Sequence, residues 1–125
     1  MTTNANKTLV REYIEALRYD KSAATLNRFV ADEDLKHHIA LYEASFPGYW
    51  IETEDLVAEG DIVVLRGTVH GTHNGQLMDI PPTEKSIAVT LFIAYRIADD
   101  KIVEHWMLAD MLGLLQQIGV MPAVS

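Results

Sequence analysis

The sequence predicts an α+β domain in which a strongly curved, mostly antiparallel β-sheet wraps around N-terminal helices and leaves an internal pocket. Two observations predict this fold class. Apolar residues recur at helical spacing in the first third of the chain, and β-branched stretches separated by turn signals follow from residue 49 onward. Long antiparallel strands with helices on one side tend to curl around those helices, so a cavity is expected between the two layers.

The N-terminal third of the chain predicts a helical hairpin. The apolar face of its first helix consists of Leu9, Val10, Tyr13, Ile14 and Leu17. Asp20 is expected to end that helix, and residues 21–30 are expected to form the second. Residues 35–39 are short and ambiguous, whereas residues 40–46 predict one or two helical turns that close at the Pro47-Gly48 turn signal.

Four strands are predicted after these helices, over residues 49–58, 62–72, 86–97 and 101–108. Turns are expected at residues 59–61 and at Asp99-Asp100, and a loop at residues 74–82 joins the second strand to the third. Asp110 is expected to cap a last helix over residues 111–118.

Composition narrows the function classes. The net charge of −8 and the lack of a basic run argue against nucleic acid and against an anionic membrane surface as partners. The absence of cysteine excludes disulfides, thiolate zinc sites and a cysteine nucleophile. No apolar run approaches the roughly 20 residues that cross a bilayer, and no secretory signal begins the chain. We therefore expect a cytoplasmic protein with one domain over residues 1–125.

Four stretches of the chain, taken in order, carry a resemblance to a known family. They are FP followed by EDLVAEGD within residues 46–61, GTHNG at 71–75, IPPT at 80–83, and KIVEHW with DMLGLLQQIG within 101–119. Together they resemble the SnoaL-like polyketide cyclases of the NTF2-like superfamily, with Glu84 standing where glycine is usual. The resemblance implies an NTF2-like cone with a deep pocket. It also implies an intramolecular aldol condensation, without metal or cofactor, that closes a polyketide ring.

The resemblance places the family's catalytic carboxylate directly after His-Trp, where this chain has Met107. The family's polar pocket positions on the preceding strand fall on Leu91 and Ile93. A thioether cannot transfer a proton, so two interpretations stay open. One is a cofactor-free cyclase or isomerase that acts on a polyketide-like or cyclic carbonyl compound. The other is a non-catalytic binding module for a small apolar ligand.

Two histidines are the candidate catalytic residues. His105 shares a strand face with Met107 and is either a pocket imidazole or a packed histidine that hydrogen-bonds a neighbour. His37 follows Leu35 at strand spacing and matches a histidine that the family carries before its third helix. His38 would then face away, unless the two histidines form a surface turn.

The candidate substrate-binding residues are Leu91, Ile93, Tyr95, Met107, His73 and Trp50. The hydroxyl of Tyr95 could polarise a carbonyl, while His73 either lines the pocket mouth or holds the loop at residues 74–83 by hydrogen bonds. No spacing of ligands predicts a metal site, and no cofactor is expected.

The expected partners are a small apolar or cyclic organic molecule and a second copy of the chain. Homodimers would form through the outer sheet face, on which Phe92, Ala94, Trp106 and Leu108 are expected to lie.

Overall fold

The computed structural model describes residues 2–121. Within these residues, three helices come first, then four strands, then one helix, which confirms the predicted α+β order. The helices are α1 (Thr3–Tyr19), α2 (Ala23–Phe29), α3 (Glu33–Ser45) and α4 (Met111–Gln117). The strands are β1 (Trp50–Glu59), β2 (Ile62–Thr72), β3 (Ser86–Ala98) and β4 (Lys101–Ala109). Within residues 2–121, no helix combines the length and the apolarity needed to cross a membrane.

The four strands form one antiparallel sheet in the order β1-β2-β3-β4. Pairing shifts register between Thr53 and Asp55 on β1 and between Arg96 and Ile97 on β3. Such irregularities bend the bulged strand and increase its twist. The sheet therefore curves around the helices, as expected for long antiparallel strands with helices on one side.

Strict alternation along β3 gives the sheet two distinct faces. Every odd-numbered residue from Ile87 to Ile97 is buried against the helices, while the even-numbered residues lie on the outer face. Tyr95 pairs with His105 and Ile93 pairs with Met107 across the β3–β4 ladder. Since partners across a ladder share a face, these four side chains form one patch on the inner side.

Residues 35–39, which the sequence left ambiguous, lie inside α3. Asp32 begins this helix, because its Oδ1 atom accepts hydrogen bonds from the backbone amides of Asp34 and Leu35 at 3.0 and 3.3 Å. The chain just before the helix is tied to β4, since the amides of Ala31 and Asp32 both donate to the carbonyl of Ile102. These bonds place the start of α3 beside the strand that carries His105.

Helix α4 is fastened at both ends. Asp110 caps its start by accepting from the amide of Gly113 at 2.9 Å, as predicted. At its end, the side-chain amide of Gln117 accepts from the amide of Ala88 at 2.7 Å and donates to the carbonyl of Ala88 at 2.9 Å. The helix therefore stays against the first part of β3, which extends beyond the pairing with β4.

The buried apolar residues form two clusters. The larger cluster lies between helices α1 to α3 and the sheet, and the smaller one lies between Phe46, the start of β3 and α4. Ile51 and Val69, on neighbouring strands, pack against both clusters. The two clusters thus meet at the inner face of β1 and β2.

Candidate functional site

A cavity of about 80 Å³ lies between the inner face of the sheet and helices α1, α3 and α4. Its walls are mainly aliphatic and aromatic, and none of its described lining residues is Asp, Glu, Lys or Arg. The polar side chains among them are four tyrosines and two histidines: Tyr13, Tyr42, Tyr49, Tyr95, His38 and His105. The half-exposed Met111 also lines the cavity. A ligand without net charge suits such walls, because an ion would be desolvated there without a partner.

The sheet wall consists of residues that the sequence singled out. Leu91, Ile93 and Tyr95 of β3 line the cavity beside His105 and Met107 of β4. The pairing register answers whether Met107 faces inward, because its partner Ile93 is buried on the inner face. This side of the cavity therefore offers a thioether, aliphatic groups and the phenol of Tyr95, beside the imidazole of His105.

His105 takes part in a chain of hydrogen bonds that runs from Asp32, at the start of α3, to His38 in the cavity wall. Its Nδ1 atom lies 2.7 Å from Oδ2 of Asp32, and its Nε2 atom lies 3.1 Å from Nδ1 of His38. The two imidazole rings meet edge to face, with centroids 5.2 Å apart. Only 7% of the His105 side chain and 12% of the Asp32 side chain are exposed, so solvent screens this contact little.

Asp32 serves the helix and the site with different oxygen atoms. Oδ1 caps α3, and Oδ2 accepts from His105. Burial raises the pKa of the Asp32 carboxyl, but hydrogen bonds from His105 and from the amides of Leu35 and Asp34 outweigh burial and hold that pKa below its ordinary value. Asp32 is therefore a carboxylate at neutral pH.

The tyrosines of the cavity are protonated at neutral pH, so each carries a hydroxyl group and not a phenolate. Burial is the main cause that raises the pKa of Tyr13, Tyr49 and Tyr95, and neighbouring tyrosines add to the effect. Tyr13 and Tyr95 also pack edge to face, with ring centroids 5.8 Å apart. Each can donate a hydrogen bond to a ligand, but none can act as a base near neutral pH.

The prediction that His37 lines the pocket is wrong. It rested on strand spacing, and the segment is helical, so His37 is exposed and His38 lines the cavity instead. The sequence did carry a signal for the correct face. Leu35, His38, Ile39 and Tyr42 recur at helical spacing, and all four line the cavity.

Trp50 and His73 also lie outside the cavity lining, in contrast to the prediction. Trp50 stacks on His70, with ring centroids 4.5 Å apart, and the guanidinium of Arg18 lies 3.9 Å from the Trp50 ring centroid. His73 is fully buried, and its Nδ1 atom contacts the hydroxyl of Thr83 at 3.0 Å and accepts from the Thr83 amide at 3.2 Å. His73 thus holds the loop, which was the alternative interpretation.

Sequence reasoning missed two members of the site, Asp32 and His38. Asp32 precedes α3 as a cap residue, and a cap gives no sign of a second partner that is 73 residues away in sequence. Within residues 2–121, no three His, Cys, Asp or Glu side chains are grouped so as to hold a metal ion.

A curved antiparallel sheet that closes over helices and an apolar cavity defines the NTF2-like class of pocket proteins. The chain belongs to the SnoaL-like polyketide cyclase family, whose sequence model matches residues 3–118. Among curated protein sequences, none matches this chain.

Solved structures with the same fold agree with this assignment. AclR from Streptomyces galilaeus, a proposed hydroxylase, is 28% identical and superposes with a TM-score of 0.84, covering 99% of this chain and 87% of its own. IdmH from Streptomyces antibioticus, a proposed polyketide cyclase, is 25% identical, with a TM-score of 0.78 over 91% of this chain and 98% of its own. TsrD from Streptomyces laurentii is 22% identical and shares the fold, with a TM-score of 0.83 over 97% of this chain and 99% of its own.

Proposed function

We propose that this protein is a cofactor-free cyclase or isomerase that acts on a small, uncharged carbonyl compound of polyketide-like or cyclic structure. The observation that carries the proposal is the pair His38 and His105, the titratable imidazoles in a cavity whose described lining is otherwise apolar or phenolic. Family membership supports the reaction class. The proposed polyketide cyclase IdmH, 25% identical, supports it as well.

Imidazole chemistry suits this reaction because ring closure by aldol condensation needs no net proton. An imidazole takes a proton from the carbon next to a carbonyl, and the enolate that results attacks a second carbonyl of the same molecule. The alkoxide then takes the proton back from the imidazolium. Histidine can do both steps near neutral pH, whereas the thioether of Met107 can do neither.

The cavity walls account for binding and orientation in this proposal. Leu91, Ile93 and Met107 contact the apolar part of the substrate, and the hydroxyl of Tyr95 donates a hydrogen bond to a carbonyl oxygen as negative charge develops there. The substrate enters at the end where Met111 lies. Its reactive carbon then comes to rest near the imidazoles.

A second candidate function is ligand binding without turnover. The wall formed by Leu91, Ile93 and Met107 favours it, because these residues hold an apolar ligand and supply no proton donor or acceptor. The same cavity would then serve transport or sensing of a small apolar molecule.

We also propose that the chain is a single functional unit that works in the cytoplasm as a homodimer. Its outer sheet face supports the dimer, since Phe92, Trp106 and Leu108 there are 47%, 48% and 76% exposed. Such a row of large apolar side chains is typical of an interaction surface.

Native mass spectrometry of freshly purified protein, with extraction of any bound compound, tests both functions. A bound compound that disappears on incubation, with a product of equal or lower mass, supports the enzyme. A bound compound that persists unchanged supports the binding module. If the protein is empty, a panel of cyclic and polyketide-like ketones is incubated with wild type and with His105→Ala, and equal turnover by the two proteins contradicts the role of His105.

A further inference from the structure

In the hydrogen bonds that join Asp32, His105 and His38, the chemistry of the groups determines which atom donates and which accepts. A carboxylate only accepts hydrogen bonds, so Nδ1 of His105 carries the proton that lies between it and Oδ2 of Asp32. In neutral His105 the Nε2 atom is then an acceptor. The short contact to His38 therefore needs a proton on Nδ1 of His38, which leaves Nε2 of His38 with a free lone pair.

We propose that these three residues form a polarised proton relay in which Nε2 of His38 is the acid/base atom that meets the ligand and Asp32 is the positioning residue. The proposal rests on the proposed function of the cavity and names the part of the ligand that reacts. The ligand is uncharged and presents a proton donor to His38: a hydroxyl, an N–H group or an acidic C–H next to a carbonyl.

One proton transfer through the relay balances as follows. The ligand's proton goes to Nε2 of His38, the proton on Nδ1 of His38 goes to Nε2 of His105, and the ligand is left as an enolate or alkoxide. The positive charge then lies on His105, against the Asp32 carboxylate and one ring away from the ligand. Reversal of the two transfers returns the proton to the ligand, so no other reactant is consumed.

Asp32→Asn tests the direction of the hydrogen bonds, because the helix cap fixes the orientation of the new side-chain amide. The amides of Asp34 and Leu35 need an acceptor, so the Asn oxygen stays on the helix and its NH₂ group faces His105. Nδ1 of His105 must then accept, its Nε2 atom donates, Nδ1 of His38 accepts, and Nε2 of His38 carries a proton. One substitution thus reverses every bond of the relay while the cap remains, since Asn caps helices as well as Asp does.

The tautomers can be measured without a substrate, by ¹H–¹⁵N NMR of histidine-labelled protein at a pH where both imidazoles are neutral. Wild type should show protons on the Nδ1 atoms of His38 and His105, and Asp32→Asn should show them on the Nε2 atoms of both. A wild-type His38 with its proton on Nε2, or a His38 that does not change in Asp32→Asn, overturns the relay. Asp32→Ser is the matched control, because serine keeps the cap but cannot orient His105; it should leave His38 without a fixed tautomer.

Two small probes test what the cavity recognises. Pyrrole offers only an N–H donor and uncharged pyridine offers only an acceptor, while the two rings are similar in size. Wild type should bind pyrrole several-fold more tightly than pyridine, and Asp32→Asn should reverse this order. Equal preference in both proteins overturns the predicted recognition. The protein could show the expected tautomers and yet convert no carbonyl compound. That result would contradict the proposed catalysis but not the relay.

Discussion

The backbone amide of Asp32 donates to the carbonyl oxygen of Ile102 at 3.2 Å. Ile102 lies three residues before His105 on β4, so the residue that caps α3 is tied to the strand that carries its imidazole partner. The Asp32–His105 contact is thereby held by the backbone on both sides. Substitutions of either side chain should consequently change the chemistry of the site more than its position.

Substituting the two adjacent histidines one at a time should distinguish the residue that lines the cavity from the residue that is exposed on the surface. His38→Gln should lower turnover at least about 100-fold, since general acid–base catalysis contributes about 10²–10⁴-fold. His37→Gln should leave turnover unchanged, because His37 is exposed on the same helix. Steady-state rates of the two variants on the same ketone decide the matter, and equal rates would contradict a catalytic role for His38.

The stabilising contribution of Asp32 should disappear in acid. The pKa of Asp32 is lower in the folded protein than its unfolded value of about 3.9. The contribution is therefore fully present above about pH 3.9 and is lost as the pH falls through the folded pKa, which lies lower. Urea unfolding of wild type and Asp32→Ser should show a gap in the free energy of unfolding at neutral pH that narrows toward pH 3. A gap independent of pH would refute this linkage.

Glu84→Gly should stabilise the protein. Glu84 has a φ angle of +61°, in the left-handed region, which costs a residue with a side chain about 1–2 kcal/mol. Glycine removes that cost. It also makes the unfolded chain more flexible, which lowers the stability of the fold by about 0.4–1 kcal/mol. The free energy of unfolding should rise by up to about 1 kcal/mol in chemical denaturation. A decrease would show that the Glu84 side chain stabilises the loop by contacts of its own.

Gly75→Ala should destabilise the protein by about 3 kcal/mol, the upper end of the usual cost of overpacking. A Cβ atom at Gly75 would collide with the backbone carbonyl of Ala44, and the Gly75 amide already donates to the carbonyl of Ser45 at 3.0 Å. Gly60→Ala is the control: Gly60 has a φ of +59° and open space around it, so it should lose only about 1 kcal/mol through backbone strain. Equal losses in thermal unfolding would mean that the loop shifts to admit the methyl group.

Trp106→Glu should convert the proposed homodimer into a monomer. Trp106 lies on the outer sheet face beside Ala94, and a carboxylate there would be desolvated in the interface. Leu41→Glu, at an equally exposed apolar position on α3, should leave the dimer intact. Light scattering at micromolar concentration reports the mass of each variant. A monomeric wild type, or a dimer that persists in Trp106→Glu, would exclude this interface.

Much of the fold could be predicted because its signals are local. The alternation from Ile87 to Ile97, the Asp99-Asp100 turn and the Asp110 cap each depend on neighbouring residues, and all are present in the structure. Residues 35–39 were harder to interpret. Two adjacent histidines interrupt the apolar pattern there, and only the continuation to Tyr42 shows the helical period.

The site was less predictable because its contacts are not local. His105 could be chosen from its strand face, but Asp32 and His38 reach it only after α3 packs against β4. The type of a polar residue did not by itself show whether that residue lines the cavity. Fully buried His73 bonds to Thr83 within its loop, and no feature of its own sequence neighbourhood separates that role from a place in the cavity.

The contact between Gln117 and Ala88 bears on how the protein avoids self-association through its strands. Ala88 lies on the part of β3 that β4 does not cover, and an uncovered strand edge can pair with a strand of another molecule and seed aggregates. The amide of Gln117 occupies both hydrogen-bonding groups of Ala88, as an incoming strand would. The Asp110 amide donates to the carbonyl of Thr90 on the same edge at 3.0 Å. Together the two contacts occupy this edge, and loss of the Gln117 side chain would lower the concentration at which the folded protein can be stored.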